Sequence, residues 1–144
     1  MQMNAEWIFL PVLLQVALTL VVYIALSVVK TQALKQGLVD QTRRALHEDA
    51  WPDSVKRINN NIRNQFELPT IFYVLVFALW SMHAADIAAL IFAWLFVLSR
   101  IVHAYIHTGP NHVPLRLKAF QFGWLMTLAL AVLAIKAVLA GILA

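Results

Sequence analysis

The sequence predicts an all-α integral membrane protein, a single four-helix bundle. Three observations carry that reading. Hydrophobic residues make up 62% of the 144 and charged ones only 12%, where a soluble domain is nearer half and a quarter. The mean hydropathy is +0.75. The apolar residues also gather in runs long enough to cross ~30 Å of hydrocarbon as helices, at about 7–29, 61–83, 87–107 and 118–142. By length the chain, 1–144, reads as one domain.

The first run, Trp7 to Val29, is almost unbroken. It lacks a basic leading segment and is longer than a signal-peptide core, so it is expected to stay on the chain. Pro11 lies near its start, where a missing N–H is tolerated. Gln15 and Tyr23 read as packing groups between helices. The loop from Lys30 to Arg57 carries Lys30, Lys35, Arg43, Arg44, Lys56 and Arg57 against Asp40, Glu48, Asp49 and Asp53. Its 38–47 stretch has the composition of a surface helix. Trp51-Pro52-Asp53-Ser54 reads as a turn opening the next helix, with Asp53 or Ser54 as cap.

The second helix is expected to run from about Ser54 to His83, bent at Pro69, which has no N–H for the Gln65 carbonyl. Its entry brings Arg57, Asn60, Arg63, Asn64 and Glu67 to the edge of the bilayer. Burying a charge there costs about 2.5–3.5 kcal/mol, so such groups line a site or a pairing surface. In a continuous helix Asn60, Asn64 and Glu67 share one face, and Arg63 lies one turn before Glu67. His83-Ala-Ala-Asp86 is a short turn. The third span then carries Arg100, His103 and His107 on one face, and Gly109 to Pro114 is a loop. The fourth opens with Arg116 and Lys118, and Lys136 near its far end is expected to snorkel to the surface.

The net charge of +4 reflects basic loops on one membrane side, not a nucleic-acid partner. The positive-inside rule puts both basic loops in the cytoplasm and both termini outside. Counted from the outer turn at 1.5 Å per residue, Glu67 and Arg100 lie ~24 and ~21 Å deep. They therefore share a level with Arg63, Asn64, His103, His107 and Arg116. An Arg100–Glu67 pair would by itself only fix helix register. The surplus of cations and imidazoles suits an anionic ligand or a thiolate. With no cysteine in the chain, that thiol would belong to a substrate. His103 and His107 have the spacing of two metal ligands, but no cysteine or carboxylate joins them on that face, and no metal is expected.

The pattern Arg57-x6-Asn64-x2-Glu67, followed by Arg100-x2-His103-x3-His107-x8-Arg116, resembles the MAPEG family, the membrane-associated proteins of eicosanoid and glutathione metabolism. The segment Asn60-Asn-Ile-Arg-Asn-Gln-Phe-Glu-Leu-Pro-Thr-Ile-Phe-Tyr is most similar to bacterial members. The resemblance implies a homotrimer in a bacterial inner membrane. It implies glutathione as co-substrate, held in a U shape between neighbouring subunits near the cytoplasmic side. Asn64 and Glu67 would then bind the glutathione backbone, Glu67 at its amino end. Arg100, His103 and His107 would line the pocket, with His107 where several members have Tyr. Lys30 would stand near a first-helix Arg used for the carboxylates. Arg116 would be the catalytic residue, lowering the thiol pKa as a neighbouring cation does.

Two departures qualify the match. Asn60 stands where the eicosanoid enzymes have Arg, with Arg63 the available substitute. Leu117 and Phe120 stand where the prostaglandin synthase has Ser and Tyr. The implied activity is that of a glutathione transferase or peroxidase acting on lipophilic electrophiles from the bilayer. Its partners would be further copies of the chain, membrane lipid and the electrophile. Two alternatives stand beside it: a non-catalytic trimer holding another anion in the same cleft, and a His-ligated metal or haem protein.

Overall fold

The computed structural model describes residues 4–143, and among them there is no strand. A 3-10 turn, Ala5–Ile8, leads into α1 (Phe9–Lys35). Then come α2 (Asp53–Phe66), α3 (Leu68–Ser81), α4 (Ile87–Thr108) and α5 (Val113–Leu143). The segments Ala5–Lys35, Ile87–Thr108 and Val113–Leu143 are each long and apolar enough to cross a membrane. The chain is an integral membrane protein, an all-helical bundle whose second expected span is made of two helices rather than one.

That division corrects the expectation of one bent helix. The break falls at Glu67, whose φ of −88° and ψ of −94° belong to no helix. Pro69 explains it. A proline inside a continuous helix would leave the Gln65 carbonyl without its donor. Restarting at Leu68 places Pro69 in the first turn of a new helix, where no N–H is needed.

The long loop also departs from expectation. α1 runs on to Lys35 and ends in a Schellman motif. The Leu38 N–H reaches the Ala33 carbonyl and the Gly37 N–H the Leu34 carbonyl, both at 3.1 Å. Gly37 takes the left-handed φ of 69° that this cap requires. Residues 38–47 then form turns, not a surface helix. The Asp40 carboxylate accepts from the Thr42 hydroxyl at 2.7 Å and its N–H at 3.0 Å, an arrangement that competes with helix. The same bonds, with Arg43 beyond them, hold the Asp40 carboxyl below its usual range. The cap of α2 is Pro52, not Asp53 or Ser54, and it makes no side-chain capping bond.

α4 begins as the sequence suggests, with the Asp86 carboxylate accepting from the Ala89 N–H at 2.8 Å. Its main neighbour is α5. The two approach closely at Gly123, where a Cβ would lie 2.6 Å from the Ser99 hydroxyl. Small residues at such crossings are how membrane helices pack without a hydrophobic drive between them. Phe72 of α3 stacks on Phe96 of α4 with centroids 4.2 Å apart, in the centre of the apolar core. On α5, Lys118 and Lys136 are both exposed. The separation of 18 positions corresponds to about 27 Å of helix, close to the ~30 Å hydrocarbon core.

Candidate functional site

The break at Glu67 positions the site. A helix end leaves its last carbonyls unpartnered, and the Asn64 carbonyl at the end of α2 is taken by Arg100 Nη2 at 3.2 Å. Arg100 is fully buried, yet its Nε and Nη1 have no partner among the described residues. The guanidinium also lies 5.7 Å from the Phe120 ring centre. Expected opposite it was Glu67. That residue is instead exposed, and none of the ion pairs among the described residues involves it or Arg100.

His103 and His107 stand on the same side of α4 as Arg100, both buried, their rings edge to face at 5.5 Å. His103 Nδ1 donates to the Arg116 carbonyl at 3.2 Å, and its Nε2 is buried without a partner. His107 Nδ1 lies 3.5 Å from the Asn64 amide. Arg116 donates from Nη1 to Asn111 Oδ1 at 2.7 Å. Asn111 can aim at it because it takes a left-handed φ of 51°, which asparagine tolerates. Asn64, His103, Arg116, Leu117 and Phe120 line a cavity of about 220 Å³ between the end of α2 and the start of α5. A second, apolar cavity of about 230 Å³ follows on the next turns, lined by Leu68, Ile71, Leu75, Trp124 and Leu128.

Asn64, Arg100, His103, His107 and Arg116 therefore stand together, while Lys30 and Arg63 are drawn elsewhere. Lys30 Nζ sits over the Trp51 ring at 5.0 Å and Arg63 pairs with Glu48, both in the α1–α2 loop. Asn60 is exposed. Among the described residues no group of three metal-ligand side chains occurs.

Gln15 packs between helices, as the sequence suggests, but sequence reasoning missed its amide partners Gln65 and Asn61 behind the site. Gln15 Nε2 donates to Gln65 Oε1 at 2.8 Å, Gln65 Nε2 to Asn61 Oδ1 at 2.9 Å, and Asn61 Nδ2 to the Ala104 carbonyl at 3.2 Å. All three side chains are buried, tying α1, α2 and α4 together beside the histidines. The available signal was Asn61 and Gln65 at i, i+4, on the same side of α2 as Ile58 and Ile62. Asn61→Ala should leave the buried Gln65 Nε2 without its acceptor, lowering stability by about 1–2 kcal/mol. Thermal unfolding in detergent would read this.

Fold and site together define a helical membrane protein with a cationic cleft at the loop end of its bundle and a separate apolar cavity on the next turns. The chain matches the MAPEG family over residues 8–136 and belongs to that family. No curated protein and no solved structure matches it.

Proposed function

We propose that the protein is a membrane-bound thiol transferase or peroxidase with glutathione as co-substrate, working as a homotrimer in a bacterial inner membrane with the cleft on the cytoplasmic side. The observation that carries this is Arg116 at a small cavity beside Arg100, a buried cation that forms no ion pair among the described residues. Glutathione brings what such a cleft lacks, namely carboxylates for Arg100 and its surroundings and a thiolate for Arg116. A cation beside the sulfur favours the ionised, nucleophilic form. Asn64 and His103 line the same pocket, with His107 beside the Asn64 amide, and Glu67 at the break binds the amino end. Lys30 of α1 and Arg63 of α2 are held by Trp51 and Glu48 of the neighbouring loop and act only if they swing toward the ligand.

The second substrate enters from the bilayer. A separate apolar cavity lies along Leu68, Leu75, Trp124 and Leu128, about one turn further along α3 and α5, and a lipophilic electrophile held there would reach the thiolate from the bilayer side. The sulfur attacks an electrophilic carbon, an S–C bond forms and the leaving group departs with its electron pair. With a hydroperoxide, sulfur takes the outer oxygen, the alcohol leaves, and a second thiol returns the product to disulfide and water. Holding a soluble thiol against a membrane-soluble partner is catalysis by proximity.

Leu117 and Phe120 in the cavity wall favour a second reading, a non-catalytic trimer that binds another anion there. One assay separates the two. Glutathione added to the purified protein at neutral pH should raise ultraviolet absorbance from thiolate, and Arg116→Ala should remove that signal. The wild-type protein should also conjugate a generic electrophile, and Glu67→Gln should weaken the conjugation. Absence of a thiolate signal in the wild type overturns the transferase reading.

A further inference from the structure

A second groove lies on the other face of the α4–α5 pair. It has a volume of about 510 Å³ and is lined by Leu95, Leu98, Val102 and Ile106 of α4 with Lys118 and Phe122 of α5. Leu98 and Val102 are exposed, whereas Arg100, His103 and His107 on the same helix are buried toward the site. The contact of Gly123 with Ser99 closes the helix pair between the two faces. Ser99 borders the groove, but it is buried and its hydroxyl donates to the Phe96 carbonyl at 2.6 Å. The groove is otherwise apolar, and its one charged group is the Lys118 ammonium. Lys118 is exposed and forms no ion pair among the described residues.

We propose that this groove binds one acyl chain of an anionic phospholipid, with Lys118 on the lipid phosphate. Length supports the assignment. Leu95 to Ile106 covers about 16 Å at 1.5 Å per residue, close to half of the ~30 Å hydrocarbon core and hence to one leaflet. Charge selects the head. Lys118 lies on the side of the basic loops, the side on which anionic lipids attract Lys and Arg. The proposal is independent of the thiol chemistry, since the groove and the polar cavity open on different faces.

Native mass spectrometry of the detergent-purified protein tests it, using phosphatidylglycerol and phosphatidylcholine with identical acyl chains. The expected result is one retained phosphatidylglycerol per chain, favoured about fivefold over phosphatidylcholine, the factor one surface lysine supplies. Lys118→Gln should erase the preference and leave the Arg116-dependent thiolate signal unchanged. Val102→Trp should fill the groove and remove the adduct of either lipid. Equal retention of both lipids by the wild type overturns the proposal, whatever the variants do. So does a preference that survives Lys118→Gln, or displacement of the phospholipid by an equimolar fatty acid of the same length. Loss of oligomer in Val102→Trp, with no lipid on the wild type, would assign the face to another copy of the chain instead.

Discussion

Arg100→Met should raise the thermal midpoint of the ligand-free protein and abolish its capture of a thiol. The two effects have one cause. Arg100 is fully buried, with Nε and Nη1 unpaired among the described residues, and its charge is answered only by the Asn64 carbonyl, the Phe120 face and, at longer range, the exposed Glu67 carboxylate. Replacing a whole buried ion pair or triad by apolar residues is often neutral or stabilising by about 1–4 kcal/mol; here a lone buried cation is removed, against the loss of its bond to the Asn64 carbonyl. At about 2–4 °C per kcal/mol for a chain of this size, the shift is easily measured. In the complex the balance reverses, because truncating one partner of a buried charge pair costs about 2–5 kcal/mol. Thermal scans with and without glutathione would show the wild type stabilised by ligand and the variant not. A variant that loses stability without ligand, as an ordinary core truncation does, would mean that the subunit already satisfies this charge.

Gly123→Ala should destabilise the fold by about 1–3 kcal/mol, the usual penalty for overpacking. The added methyl would lie 2.6 Å from Ser99 Oγ, with Arg100 Cδ and Leu68 Cδ2 at 3.7 and 3.8 Å. Ser99 can move only by giving up its bond to the Phe96 carbonyl, in a buried position. Ser99→Gly, made together with Gly123→Ala, moves the small residue to the other helix and should restore much of the loss. A coupling of about 1 kcal/mol or more in that double-mutant cycle, read by thermal unfolding, identifies the clash as the cause. Additive losses would place the strain elsewhere.

The helical spans and the imidazole face of α4 were legible because a regular helix converts spacing into position. Arg100, His103 and His107 at i, i+3, i+7 had to share a side, and equal distances from the outer turn put them level with the Asn64 region. The same logic failed at Glu67. It assumed an unbroken helix through Pro69, and the break took Glu67 off the face that Asn60 and Asn64 still share and left it exposed. Lys30 and Arg63 were misplaced for another reason. Their long side chains reach whatever the loop offers, and the loop supplied Trp51 and Glu48. No periodicity encodes a turn built on the Asp40 carboxylate and the Gly37 cap. The Gln15–Gln65–Asn61 chain escaped because Gln15 is fifty residues away from its partner in sequence.

The two lysines of α5 make the molecule sensitive to the thickness of its membrane. With Lys118 and Lys136 about 27 Å apart along the helix, one hydrocarbon thickness lets both ammonium groups reach water with α5 upright. A thicker bilayer draws one of them inward, and a thinner one makes the helix tilt, each at a cost of fractions of a kcal/mol per Å. Arg116 stands only two residues from Lys118, on the same first turns of α5. Hydrophobic mismatch that shifts or tilts α5 therefore displaces the cleft's arginine against Asn64 on α2. Lipid chain length thereby becomes a physical setting of the site, acting without contact with any ligand.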